Sequence, residues 1–140
     1  MKKEISSVIA EINELDDPAK RVLALPDDTL IHRYEIASGF NFSDDYKEFL
    51  KNVSNAFVGY LSPLMLNEEM GGMHGELITT IQQARSAGLP ADWLPICEDN
   101  GDYYCIAPDG LVRFWSHDGP SDESWPDLAT WADEVWLQGK

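Results

Sequence analysis

Glu98, Asp99 and Asp102 crowd one turn of the chain. Carboxylates that close can hold Mg²⁺ or Ca²⁺, or exchange a proton with a substrate. The interval does not fit a calcium loop, because no further ligand position and no acidic twelfth residue follow. Hairpin chemistry accounts for the cluster better: Asn100-Gly101 makes the turn and Asp102 bonds nearby backbone amides. Contact with a protein partner is the second use open to the three acids. Cys97 and Cys105, with His74 and His117, carry the donor types of a tetrahedral zinc site. Zinc modules set paired cysteines about two to four residues apart, however, and these lie on successive strands, where two small core residues fit as well. No metal and no cofactor is expected.

Ser116-His117-Asp118 has the side chains of a hydrolytic triad in one run. Neighbours on a strand point to opposite faces, so the run reads instead as a solvated strand end entering the Asp118-Gly119 turn. No Gly-x-Ser-x-Gly elbow occurs in the sequence. Met70-Gly71-Gly72-Met73-His74-Gly75 lacks the lysine and the strand-to-helix setting of a phosphate loop, and reads as a mobile, Met-rich loop. No nucleophile, base and orienting group come together, so the chain is expected not to be an enzyme. The rival of a different class is a small metal-dependent hydrolase using the Glu98–Asp102 cluster.

All five tryptophans stand at or after position 93. Trp131 and Trp136 fall on a helical stripe and belong to the core. Trp115 and Trp125 flank an acidic loop from Asp118 to Glu123 that also holds Asp122. Aromatic anchors beside charge are what protein interfaces use, although covering a sheet edge explains the two equally simply.

The elements that must position these residues follow from periodicity. Ile5, Val8, Ile9, Ile12 and Leu15 repeat at helical spacing, and Asp16-Asp17-Pro18 ends that helix, with a short capped turn after it. A further helix starts at Asp27 or Asp28 and stops near Gly39, with Leu30, Ile31, Tyr34 and Ala37 inward. Another follows Ser43, burying Tyr46, Phe49, Leu50 and Val53. Phe57–Leu61 reads as a first strand, and Glu76–Ser86 as a helix with Leu77, Ile78 and Ile81 inward. A meander comes next: Trp93–Cys97, the Asn100-Gly101 turn, Tyr103–Ala107, the Pro108-Asp109-Gly110 turn and Leu111–Trp115. The last helix is placed near Ser124, with Pro126 in its first turn and Leu128, Trp131, Ala132, Val135 and Trp136 as its stripe. Helices, then antiparallel strands, then a closing helix make an α+β domain.

Composition narrows the function further. The 140 residues suit one domain, and 44% are hydrophobic, enough for a core without staples. The formal net charge is −15, and residues 71–140 carry 12 acids against three bases. That balance argues against nucleic acid, whose phosphates are neutralised by Lys and Arg, and against anionic membrane surfaces. A basic protein would be steered towards such a chain. The stretch after Lys2 and Lys3 is too polar for a signal peptide, and the longest uncharged run, Asn52–Asn67, is short and broken for a membrane span. Two cysteines make no disulfide framework, and a cytoplasmic location with reduced thiols is the expectation.

The segment Trp93-Leu-Pro-Ile-Cys-Glu-Asp-Asn-Gly-Asp-Tyr-Tyr-Cys-Ile-Ala-Pro-Asp-Gly-Leu-Val-Arg-Phe-Trp-Ser-His117 resembles the central signature of the SUKH superfamily. Its pattern is an apolar strand, an Asn/Gly-Gly-Asp turn, a second apolar strand and another turn. A Trp-containing C-terminal helix, here Trp125 to Trp136, often follows. Asp44-Asp-Tyr-Lys-Glu-Phe-Leu50 resembles the N-terminal block of the superfamily. Phe42-Ser43 stands there in place of the usual Leu-Pro, and Asn55-Ala56 in place of Asn-Gly. The likeness spans residues 28–137 and is strongest over 93–137. The superfamily includes a fungal cell-wall-synthesis regulator and many bacterial immunity proteins. It implies a non-enzymatic binding module that neutralises a cognate toxin, often a basic nuclease; a regulatory or scaffold role is the alternative. On charge and shape, the partner surface is expected at Glu98, Asp99, Asp102, Asp118, Asp122 and Glu123, which alternate turns of a meander bring to one sheet end, with Trp115 or Trp125 as anchor.

Overall fold

Short polar side chains start the helices where the sequence places them. Asp27 accepts a hydrogen bond from the Leu30 amide at 2.8 Å, and Ser43 accepts one from the Tyr46 amide at 3.2 Å. Each satisfies a donor that the first helical turn leaves free. The computed structural model describes residues 4–119 and 121–139; Lys2, Lys3 and Lys140 of the charge pattern and Pro120 of the acidic loop lie outside them. Among the described residues the helices are α1 (Ile5–Leu15), α2 (Asp28–Ser38), α3 (Asp44–Val53), α4 (Leu77–Ala87) and α5 (Leu128–Trp131). Helix α5 widens into a π-helical stretch over Ala132–Leu137.

Four antiparallel strands, β1 (Leu94–Asp99), β2 (Asp102–Ile106), β3 (Val112–Trp115) and β4 (Ser124–Trp125), form one sheet in the order β1-β2-β3-β4. Helices from both ends of the chain flank this sheet, so the fold is α+β. Residues directly opposite on paired antiparallel strands share a face. Tyr104 faces Phe114, Ile106 faces Val112, and Val112 faces Trp125, which puts this set on the side of the main core. There it meets Val8 and Ile12 of α1, Phe49, Leu50 and Val53 of α3, and Trp131 and Trp136. Tyr103 opposite Trp115 and Cys105 opposite Arg113 occupy the other face, where Tyr103, Cys105 and half-buried Trp93 and Trp115 pack with Ala84 and Leu89.

Three sequence expectations need correction. Phe57–Leu61 is a tight turn rather than a strand: Val58 bridges back to Leu61, and Gly59 has φ 63°, which a side chain would oppose. The sheet instead receives Pro63 and Leu64, the Leu64 amide donating to Ile96 O at 2.9 Å. Ser124-Trp125 is strand β4, not a helix start. Trp125 precedes a proline, whose ring disfavours helical backbone at the residue before it, and Asp127 is the N-cap, accepting from the Thr130 amide at 2.8 Å. Finally, Leu15 is 66% exposed and Ala37 is exposed, because each lies in the last turn of its helix beyond the packed stripe.

Cys97 and Cys105 are free and buried, on opposite sheet faces, so they cannot share one metal ion. Burial, with the charges of Asp99 and Glu98, pushes the Cys97 thiol up to about 12, and burial alone raises Cys105. Both thiols are therefore expected to resist alkylation at neutral pH in the folded protein and to react together on unfolding. Mass-spectrometric counting of labelled thiols across a urea series checks this; labelling of either in native buffer contradicts it.

Candidate interaction surface

The β1–β2 hairpin is the tightest construction at the acidic end of the sheet. Asp99 pairs with Asp102 across a two-residue loop, and both loop residues have positive φ, 52° at Asn100 and 88° at Gly101. That is the mirror-image turn whose twist suits a hairpin, and Asn-Gly is the dipeptide that adopts it most readily. The Gly101 amide donates to Glu98 Oε2 at 2.7 Å. Glu98 Oε1 lies 3.3 Å from His74 Nε2 in the Met-rich loop.

Asp102 reaches out of this turn to the loop after β3. Its Oδ1 accepts from the His117 amide at 3.1 Å and lies 2.6 Å from His117 Nδ1. The other ring nitrogen, Nε2, faces Asp118 Oδ1 at 3.4 Å. This joins the hairpin turn to the loop that begins at Asp118, two connections on, so both acidic segments emerge at one sheet end. Asp118, Asp122 and Glu123 are exposed, and Glu98, Asp99 and Asp102 are half-buried.

His117 is the part of this arrangement that strand alternation misjudges. The residue sits in a turn, so it meets Asp118 as well as Asp102. With both ring nitrogens facing carboxylates, neither is left for the Ser116 hydroxyl, which accepts from the Asp118 amide at 3.2 Å. No relay through Ser116 can form in this geometry. Nor do the three hairpin acids converge on a point: Glu98 and Asp102 turn to backbone amides and histidines, and among the described residues no group of three or more His, Cys, Asp or Glu could hold a metal ion.

The charges nonetheless act on one another. The Asp102 hydrogen bond, then Asp118, raise the pKa of His117, while burial followed by repulsion from Asp102 and Glu98 raises that of Asp99. A histidine whose folded pKa is raised contributes stability that is fully present below its unfolded pKa and is lost as pH rises through the folded one. An NMR titration should therefore find His117 above the usual ~6.5, and Asp102→Asn should return it towards that value. A His117 value that Asp102→Asn leaves unmoved contradicts the link.

The two tryptophans do not join the acids as a pair. Trp115 packs at a tilt against Tyr103, ring centroids 5.9 Å apart, on the α4 side of the sheet. Trp125 lies 5.7 Å from Tyr104 on the main-core side. Both are half-buried among other rings, so packing explains each.

A family model described as SUKH_5, SMI1-KNR4 cell-wall, matches residues 5–137. The chain belongs to the SMI1-KNR4 family. A solved structure shares the SMI1-KNR4 fold seen here, that of a protein from Pseudomonas syringae pv. tomato. It is 34% identical, with a TM-score of 0.85, over 96% of this chain and 99% of that one. No curated protein matches the chain. Proteins of the SMI1-KNR4 family are generally non-enzymatic immunity or regulatory proteins, and the match supports a protein-interaction module in general. No helix among the described residues is long and apolar enough to cross a membrane.

Proposed function

We propose that this protein neutralises a basic bacterial toxin domain by binding it at the acidic end of the sheet, without chemistry of its own. The observation that carries the reading is the Asp102–His117 contact at 2.6 Å, which holds the hairpin acids beside the Asp118 loop. Two short acidic segments far apart in sequence thereby act as one field. A basic partner approaching such a field gains on-rate, and like-charged proteins are turned away. Barnase and barstar, a basic nuclease and its acidic inhibitor, associate by the same physics on an unrelated fold. The setting is a cytoplasm, where the toxin would otherwise act and where both thiols stay reduced.

The test uses the product of the adjacent upstream reading frame. Co-expression should give a stoichiometric complex and relieve that product's toxicity, with no turnover of the partner. Failure to bind it, or processing of it that stops on Asp99→Ala with the fold intact, would overturn the reading.

A further inference from the structure

Phe57 and Tyr60 are the exposed large aromatics among the described residues, at 65% and 68%. They stand on a turn whose backbone is hydrogen-bonded from two distant parts of the chain. The Phe57 amide donates to Asp16 Oδ2 at 3.2 Å. On the opposite side the buried Trp136 indole donates to Val58 O at 2.9 Å and Leu61 O at 3.0 Å. The Val58–Leu61 bridge closes the turn between these clamps. Buried Leu61 and half-buried Val58 pack into the core, so folding holds the turn's backbone at three anchored points while leaving both rings in water.

The turn also borders the acidic end of the sheet. Pro63 bridges Cys97 in the antiparallel sense and the Cys97 thiol donates to Ser62 O at 3.3 Å, so the chain running back from Pro63 to Tyr60 follows β1 towards Asp99 at its acidic end. Phe57, at the other end of the turn, meets the end of α1 through Asp16, whose charge Arg21 already matches, so the acids that favour a basic partner are those of the sheet end. An apolar pair edged by carboxylates fits a partner whose apolar contact is edged by Lys and Arg. A second copy of this chain, also at net −15, is repelled from the same place.

We propose that Phe57 and Tyr60 are the aromatic anchors of the interface with the basic partner, in place of Trp115 and Trp125. The inference rests on the proposed toxin-binding reading and adds the residues that hold the complex once charge has steered it together. Pre-positioned aromatics that bind without losing much freedom are typical of the few residues that dominate an interface. They act on dissociation, whereas rim acids act on association.

The experiment measures both rate constants for the adjacent-frame protein with wild type, Phe57→Ala, Tyr60→Ala and the triple variant Asp118→Lys, Asp122→Lys, Glu123→Lys. Each aromatic variant should dissociate about tenfold faster or more, with its association rate and salt dependence close to wild type. Hydroxyl-radical footprinting of the wild-type complex should show Phe57 and Tyr60 protected, a readout that needs no variant to fold. If the triple variant associates slowly while both alanine variants dissociate as wild type does and the rings stay unprotected, the anchor assignment falls and the acidic-end reading stands. If wild type forms no complex, both fall together.

Discussion

Replacing Arg21 by alanine is expected to lower stability by about 3–5 kcal/mol, the usual cost of removing one partner from a buried charged pair. The side chain is 3% exposed, and all five of its N–H donors are used. Nε donates to Asp16 Oδ2 at 2.7 Å. One terminal nitrogen donates to Asn52 O at 3.0 Å and Asn55 Oδ1 at 3.1 Å, and the other to Asn13 Oδ1 at 2.8 Å and Asp16 O at 2.8 Å. The guanidinium thus ties the end of α1 to the end of α3, and Asp16 also holds the turn that carries Phe57. Without it, Asp16 remains as a half-buried carboxylate with one amide donor, and two asparagine oxygens lose their partner. Arg21→Lys should recover less than half of the loss, since an ammonium cannot reproduce the planar fork. Urea unfolding of the two variants measures this; a loss below ~1 kcal/mol for Arg21→Ala would show that water replaces the clamp.

Glu76→Ala is expected to cost about 3–4 kcal/mol, because four donors lose one acceptor group. The carboxylate is buried at the N-terminus of α4, accepting from the Tyr34 hydroxyl at 2.6 Å, the Ile78 amide at 3.1 Å, and the Thr79 amide and hydroxyl at 2.8 and 2.7 Å. Burial alone would raise its pKa, yet the bonds from Tyr34, Thr79 and Ile78 outweigh burial and hold it below the ordinary carboxylate range. A depressed carboxylate contributes stability that is present above its unfolded pKa and is lost as pH falls through the folded one. Wild type should therefore lose stability on acidification below pH ~4.5 more steeply than Glu76→Gln. Tyr34→Phe removes one of the four donors and also the acceptor of the Asn67 amide at 3.0 Å, and should cost less than Glu76→Ala. Parallel pH dependences for wild type and Glu76→Gln would contradict the assignment.

What the sequence makes legible is decided by how local each signal is. The buried stripe of α3, the Asp27 cap and the Asn100-Gly101 hairpin depend on residues within a turn of one another, and all three stand as expected. Phe57–Leu61 has strand-like composition, but what shapes it lies far away, in Asp16 and Trp136. Composition therefore assigns its aromatics to a sheet, and Gly59 is the one local sign of a turn. Ser124 followed by Pro126 has the look of a helix start with proline in the first turn, but the same proline disfavours helical backbone at Trp125, and that signal is the stronger. At the acidic end, alternation of meander turns is enough to bring the two loops to one side. The role of His117 as the link between them needs the three-dimensional path of a turn, which neither spacing nor period supplies. Arg21 and Glu76 are only partly legible for the same reason: Glu76 caps α4 locally, but its Tyr34 partner, like the Asn52 and Asn55 partners of Arg21, comes from more than 30 residues away.

If charge at the acidic sheet end steers a basic partner, the association rate constant shows it most directly. Stopped-flow mixing with the adjacent-frame protein, at about 20 mM and 200 mM salt, compares wild type with the variant Asp118→Lys, Asp122→Lys, Glu123→Lys. Exposed charges are screened over ~10 Å at 0.1 M, so the wild-type rate should fall steeply between the two conditions. The triple variant should associate more slowly at low salt, depend less on salt, and keep its melting temperature. Equal rates for both proteins at both ionic strengths would contradict the account, leaving the acidity as a matter of solubility and the binding site elsewhere on the fold.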